Sequence, residues 1–175
     1  AYQFKATDWT TGDPARVAAS DITYDTENNV IHVKASGTNN VALMMKYDDK
    51  NYTIDKDETF LVVRGTNLRT TSGSSYLWWL NVSNHGTQVA PVTTRSITVN
   101  DMAQTVVAWN MTTSGIYENF SGDRPSVCMG QTIFGLTSTT GQSDIHDINF
   151  VSNVDNYIGM ATAVASVSEC LSPKI

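Results

Sequence analysis

Apolar and polar side chains alternate repeatedly along this 175-residue chain, and this pattern restricts the fold more than any other feature. In one early segment, Ile31, Val33 and Ala35 fall on one side, and His32 and Lys34 fall on the other. A period of two is typical of β-strands with one buried face, and few segments show the 3.6-residue period of a helix. We therefore predict a protein built mainly of strands.

Turn-forming sequences such as DTENN, TSGS, NHGT and STTGQ separate the alternating segments. About nine or ten short strands joined by polar turns are typical of antiparallel all-β folds. We predict a two-sheet antiparallel β-sandwich, or jelly roll, over residues 1–153. No low-complexity linker divides this stretch, so we expect one domain.

The last stretch, residues 154–175, departs from the alternating pattern. Ile158, Ala161 and Ala165 fit one face of a helix, whereas Gly159 and the alternation of small residues also fit a strand. We predict a C-terminal element, either a short helix or an extension. It packs on the sandwich or leads to a further domain.

The charge balance excludes some partners. Charged residues make up 16% of the chain and the formal net charge is −6, so no basic surface is available to neutralise phosphates. We therefore expect no nucleic-acid partner. Since no segment approaches the roughly 18 consecutive apolar residues of a membrane span, we also expect no membrane insertion.

The polar, weakly charged composition is typical of extracellular proteins, so we expect a secreted, periplasmic or cell-surface protein without its signal peptide. Cys128 and Cys170 leave two interpretations open, a disulfide or two unrelated buried thiols. The chain has no Cys-x-x-Cys pair, and its three histidines lie far apart, so the sequence predicts no metal cluster of these residues.

Two adjacent tryptophans provide the clearest functional signal. On a strand from Tyr76, Trp78 belongs to an apolar face, whereas Trp79 shares the opposite face with Asn81. An indole beside an amide suits a sugar, because a pyranose has an apolar C–H face and hydroxyls that need fixed partners. Alternatively, Trp79 lies under a loop or the C-terminal segment and completes a second small core.

Four further side chains are candidates for ligand binding. The planar guanidinium of Arg64 suits two sugar hydroxyls or a carboxylate, although a surface ion pair with a nearby acid is an equal alternative. Trp9 lies in a polar stretch and is either an exposed ring or a lid on the sandwich. Tyr47 and His85 fall at strand ends or in turns, where binding residues are concentrated.

Three segments, residues 51–67, 74–84 and 142–153, resemble in order the galactose-binding-like jelly rolls that include many carbohydrate-binding modules. The resemblance implies glycan binding, and it implies a structural calcium held by an acid of the final strand and acids of the N-terminal region. Asp147 matches the second acid of the final-strand pattern, whereas His146 stands in place of the first.

By the same resemblance, Asp8 or Asp21 would face Asp147 across the calcium. Calcium takes about six to eight oxygen ligands, so the alternative for Asp147 is a turn cap or a pair with a basic residue. We expect that no cofactor is required for binding.

The usual catalytic motifs are missing from the sequence, including the Gly-x-Ser-x-Gly elbow and the His-Glu-x-x-His helix. We therefore predict a non-catalytic carbohydrate-binding protein, with a glycan or polysaccharide as partner and other domains of a longer chain as neighbours. Two alternatives remain: a structural or adhesive spacer of a larger surface protein, and a hydrolase or lyase acting on glycans.

Overall fold

The computed structural model describes residues 2–11, 21–34, 42–45, 53–55, 57–68, 76–81, 84–85, 90–112, 124–125, 132–135 and 142–171. Within these residues the chain forms thirteen strands and one α-helix, and a short 3₁₀ helix (Ala6–Asp8) precedes the first strand. The mainly β content agrees with the alternating sequence pattern.

In chain order the elements are β1 (Trp9–Thr11), β2 (Ile22–Asp25), β3 (Val30–Lys34), β4 (Ala42–Met45), β5 (Thr53–Ile54), β6 (Phe60–Thr66), β7 (Tyr76–Asn81), β8 (Asn84–His85), β9 (Thr93–Val99), β10 (Met102–Asn110), β11 (Arg124–Pro125), β12 (Thr132–Gly135), β13 (Gln142–Val151) and α1 (Val154–Leu171).

The strands form antiparallel sheets. The largest contains six strands in the spatial order β2-β3-β13-β6-β10-β9, so that β13, the last strand in sequence, lies in the middle. A five-stranded sheet has the order β1-β4-β12-β7-β8, and β11 pairs with β5. β9 and β10 are joined by Asn100 and Asp101, both with positive φ, as expected for a two-residue hairpin turn.

One face of the six-stranded sheet, which we call the inner face, carries the main hydrophobic core. Side chains at alternate positions of β3, β6, β10 and β13 are fully or almost fully buried there, including Ile31, Leu61, Val107, Trp109 and Phe150. Trp9 of β1 and Leu43 of β4, from the five-stranded sheet, belong to the same cluster. Trp109 has no exposed surface and is one of the largest side chains of this core.

The opposite face of the six-stranded sheet, the outer face, is partly covered by α1. Ile158 of the helix is buried against Val62, Val106 and Ala108 in a second, smaller cluster. Residues 154–171 are therefore helical, one of the two conformations that the sequence allowed. Because the helix covers them, the outer-facing apolar residues of β6 and β10 are as well buried as the inner-facing ones.

A β-bulge interrupts the alternation in β13. The register against β6 shifts between Ile145 and Asp147, and both Ile145 and Ile148, three residues apart, are buried in the inner core. An extra residue, His146, is accommodated there, so Asp147 falls on the outer face, opposite Arg64. The bulge therefore determines on which face of the sheet Asp147 lies.

Over the residues with an assigned structure, no helix has both the length and the apolar character needed to cross a lipid bilayer.

Candidate functional site

An open groove of about 670 Å³ lies at the end of the outer face, where the turn before β6 approaches the first turns of α1. Asp55, Asp57 and Glu58 of the turn line one side, and Asn156 and Met160 of the helix are among the residues on the other. We call this the acid-rimmed groove. Its volume falls within the range of about 300–1,000 Å³ that is usual for small-molecule sites.

Four side chains form a hydrogen-bonded network below the helix. The Nε of Arg64 donates to the Tyr157 hydroxyl at 3.2 Å, and Arg64 Nη1 donates to Gln104 Oε1 at 2.6 Å. The Tyr157 hydroxyl donates in turn to Asp147 Oδ2 at 2.6 Å. Arg64, Asp147 and Tyr157 all line the acid-rimmed groove, so this network forms part of its wall.

Burial dominates the electrostatics of this network. It raises the pKa of the Asp147 carboxyl, although the hydrogen bond from Tyr157 and the charge of Arg64 act in the opposite direction. Burial also raises the pKa of the Tyr157 phenol, and the nearby Asp147 carboxylate adds to that shift. Asp147 is thus a carboxylate held in surroundings that favour its neutral form.

Hydrogen bonds within the turn hold the acidic side of the groove in place. Glu58 Oε1 accepts a hydrogen bond from the Asp55 backbone N–H at 2.8 Å, and the Glu58 N–H donates to the Asp55 carbonyl oxygen. Burial raises the pKa of Glu58 despite this bond, and the charges of Asp55 and Asp57 raise it further. The rim therefore favours neutral or cationic groups over anionic ones.

Two residues singled out from sequence for different roles meet in this groove. Arg64, a predicted ligand-binding residue, and Asp147, a predicted calcium ligand, are register partners across β6 and β13. The alternative for Arg64 was an ion pair with a nearby acid. The described residues form two ion pairs, His32–Asp144 and Arg95–Asp155, and Arg64 is in neither.

Trp9 is neither an exposed ring nor a lid, the two predicted placements, because it lies on β1 inside the main core cluster. It has no exposed surface, and its Nε1 donates to the Tyr2 hydroxyl at 3.0 Å. The ring packs edge-on to Tyr2, which contacts Phe150 in the same way. A ligand therefore has no access to Trp9, and its assignment as a ligand-binding residue is wrong for this physical reason.

The acids proposed for calcium are not gathered into one site. Asp8 is buried beside the core, where its Oδ2 accepts from the Tyr2 hydroxyl at 3.1 Å, whereas Asp147 lies on the outer face and Asp21 directly precedes β2. Among the residues that the structure places, no three His, Cys, Asp or Glu side chains are grouped to hold a metal ion. The arrangement of these acids does not fit the calcium site that the resemblance implies.

The remaining predicted residues lie partly or wholly outside the described residues. Trp79 and Asn81 lie on β7 and His85 on β8, as backbone, and the structure does not describe their side chains. Tyr47 and Cys128 lie outside the described residues, as does the side chain of Cys170. The prediction that Trp79 is exposed therefore stays a prediction.

Sequence reasoning missed Tyr157, Gln104 and Asn156. A helix start is signalled by Asn153, whose Oδ1 accepts from the Asn156 N–H at 2.9 Å as an N-cap does. With the helix placed from that cap, Tyr157 falls one turn in, next to Ile158, and both contact the second cluster. No local signal identifies Gln104, because its bond to Arg64 depends on the pairing of β10 with β6.

Compared with known proteins, the chain matches no family model, no curated protein and no solved structure. The resemblance to galactose-binding-like jelly rolls thus stays a prediction from the sequence.

Proposed function

We propose that the protein binds carbohydrate without catalysing a reaction, and that the acid-rimmed groove is the site. The observation that carries the proposal is the wall formed by Arg64, Asp147 and Tyr157, in which three planar polar groups border an open groove. Such groups are held in fixed positions by one another, as a specific site for hydroxyl groups requires.

The groove offers the mixture of groups that a pyranose needs. Asn149 and Asn156 add amide donors and acceptors, and the carboxylates of the rim add further acceptors. Met160 has an exposed fraction of 73% and presents an apolar surface to the sugar C–H face. The acids on the rim favour a neutral or amino sugar in the groove itself.

We also propose that the two larger sheets face each other as a β-sandwich. Trp9 and Leu43 of the five-stranded sheet share one buried cluster with Leu61 and Ile148 of the six-stranded sheet, which supports this arrangement. Glycan binding on such a scaffold suits a secreted or cell-surface protein, and we propose that location with it.

A structural or adhesive spacer is the second candidate function. The observation in its favour is that Tyr157 bonds to both Arg64 and Asp147 and so ties α1 to the sheet. On this hypothesis the network anchors the helix and has no ligand. Replacement of Arg64 distinguishes the two functions. Only carbohydrate binding predicts that loss of its guanidinium lowers the affinity for a ligand.

The test is a glycan array followed by calorimetric titration of the full chain. We expect dissociation constants in the range of about 1 μM to 1 mM, typical of a few hydrogen bonds and one apolar contact. Arg64→Met should weaken binding about tenfold or more, because it removes charge-assisted donors and keeps the aliphatic stem.

Arg95→Met is the matched control. Arg95 also ties the outer face to α1, through Asp155 at 3.0 Å, but it lines neither the groove nor the cavity described below. Its removal should leave affinity unchanged. An array without any binding would contradict the proposed function. Unchanged affinity in Arg64→Met together with a loss in Trp79→Ala would move the site to β7.

A further inference from the structure

A second cavity, of about 320 Å³, adjoins the acid-rimmed groove and shares Arg64 and Ala161 with it. Its wall also contains Gln104 of β10 and His146 of the bulge, with Asn100 of the β9–β10 turn among the other residues. We call it the arginine–histidine cavity. None of its described lining residues is acidic, in contrast to the groove.

Arg64 presents an unused hydrogen-bonding edge. Its Nε and Nη1 are engaged by Tyr157 and Gln104, whereas Nη2 makes no hydrogen bond within the described part of the chain. The side chain is half-buried, and no described carboxylate forms an ion pair with it. A partly desolvated guanidinium of this kind gains from an anionic partner more than an exposed one does.

His146 provides a buried, unpartnered nitrogen in the same wall. Its Nε2 is buried and has no hydrogen-bond partner among the described residues. Buried polar atoms are nearly always paired, so this atom requires an explanation, and a ligand is one. Burial and the charge of Arg64 lower the pKa of His146, so near pH 7 the ring is neutral and one of its nitrogens carries a hydrogen.

The third polar wall residue is fixed in place. Gln104 has an exposed fraction of 6%, its Oε1 accepts from Arg64, and its Nε2 contacts the sulfur of Met102 at 3.6 Å. The amide thus holds the guanidinium in one orientation. Arg64 is thus a pre-organised donor in a cavity without acids on its described wall.

We propose that the arginine–histidine cavity binds a carboxylate group, whose oxygens accept hydrogen bonds from Arg64 Nη2 and from the His146 ring. A planar carboxylate matches the guanidinium edge, and its charge balances that of Arg64. The carboxylate belongs either to a small free acid or to a uronic acid within a glycan. Only the uronic acid case rests on the proposed function, because such a ligand would extend from this cavity into the groove.

The test uses acetate, glucuronate and glucose as probes of the full chain, by calorimetry and by the NMR signals of the His146 ring. We expect glucuronate to bind and to shift those signals, and glucose to bind at least about tenfold more weakly. Binding of acetate as well assigns the site to small free acids. Binding of glucuronate alone assigns it to sugar-borne carboxylates.

Two variants test the donors separately. His146→Phe keeps a ring of similar size without a donor, and Arg64→Lys keeps the charge without the planar edge. Each should weaken glucuronate binding about tenfold, whereas the Arg95→Met control should not. Thermal melts of each variant verify folding, and the two substitutions remove different donors, so misfolding of one leaves the other as the test.

Equal binding of glucose and glucuronate, or no response of the His146 signals to any carboxylate, would overturn the proposal. The outcomes also separate it from the proposed function. Neutral glycans that bind in the groove without any carboxylate effect would leave carbohydrate binding standing and remove the carboxylate site. Acetate binding together with a glycan array that shows no binding would support the carboxylate site and contradict carbohydrate binding.

Discussion

The two faces of the six-stranded sheet are built from the same strands but differ in what covers them. On the inner face Leu61, Val63 and Phe150 are buried in one continuous core. On the outer face α1 covers Val62 and its neighbours, and the cover then gives way to polar side chains, beginning with Arg64 one position further along that face.

This contrast shows where a site can form on such a sheet. Where both faces are apolar, packing determines every position and leaves no polar group to meet a ligand. At the edge of the helix, Arg64, Asp147 and Gln104 are held in place by hydrogen bonds and line a groove or a cavity. Both proposed sites lie at that margin.

The largest expected effect comes from a point of close backbone approach between β6 and β13. A Cβ on Gly65 would lie 2.1 Å from the Asp144 carbonyl oxygen, so Gly65→Ala must force the two strands apart beside the bulge. We expect a loss of about 3 kcal/mol in the free energy of unfolding, measured by urea denaturation. A loss of a few tenths of a kcal/mol would show that the strands separate easily there.

Val62 and Val63 allow a direct comparison of the two faces, because they are adjacent, identical in type and fully buried on opposite sides. Val63→Ala should cost about 2–3 kcal/mol, as for lost methyl groups plus an unfilled cavity. Val62→Ala should cost less, about 1–2 kcal/mol, since α1 can settle onto the smaller side chain. Equal losses in urea denaturation would contradict the distinction.

Asp147→Asn tests the electrostatics of the outer face. Because the folded-state pKa of Asp147 is raised, its contribution to stability is fully present below the unfolded-state pKa and is lost as pH rises through the folded-state value. The variant should therefore gain stability relative to the natural protein between about pH 4 and pH 7, measured as the difference in melting temperature.

Asp25→Asn is the control of opposite sign. Hydrogen bonds from Asn28 lower the pKa of Asp25, so its contribution is present above the unfolded-state pKa and is lost as pH falls. That variant should be less stable than the natural protein by a constant amount above about pH 4, and the difference should shrink as pH falls below that value. The same direction for both acids would contradict the environment described for Asp147.

The smallest effect is expected on the helix itself. A Cβ on Gly159 would meet nothing within 4 Å, and the residue is exposed in the interior of α1. Gly159→Ala should therefore stabilise the protein by up to about 1 kcal/mol through helix propensity. A lower melting temperature would indicate that this side of α1 contacts another part of the chain.

The strands were predictable from sequence because alternation survives wherever one face is buried and the other is not. It places Ile31 and Val33 inside and His32 outside, as the structure does. In β6 alternation does not identify the inward face, because Leu61, Val62 and Val63 are all apolar. The physical reason is that α1 buries the outer positions as fully as the core buries the inner ones.

The site was less predictable, because it depends on a bulge and on contacts distant in sequence. Strict alternation puts Asp147 on the side of Ile145, whereas the extra residue in β13 moves it to the side of Arg64. Tyr157 reaches both residues only after the helix has packed on the sheet. Neither the bulge nor the packing of the helix produces a recognisable sequence pattern in the residues immediately around the site.

The central position of β13 has a consequence for how the molecule is made. This strand lies between β3 and β6, yet it follows β6 by about eighty residues of chain, and a ribosome delivers those residues at about 5–20 per second. Until it arrives, the pair β2–β3 and the group β6-β10-β9 each present an open edge to other chains. Completion of the sheet therefore waits for synthesis of the chain between β6 and β13, and both proposed sites form only after it.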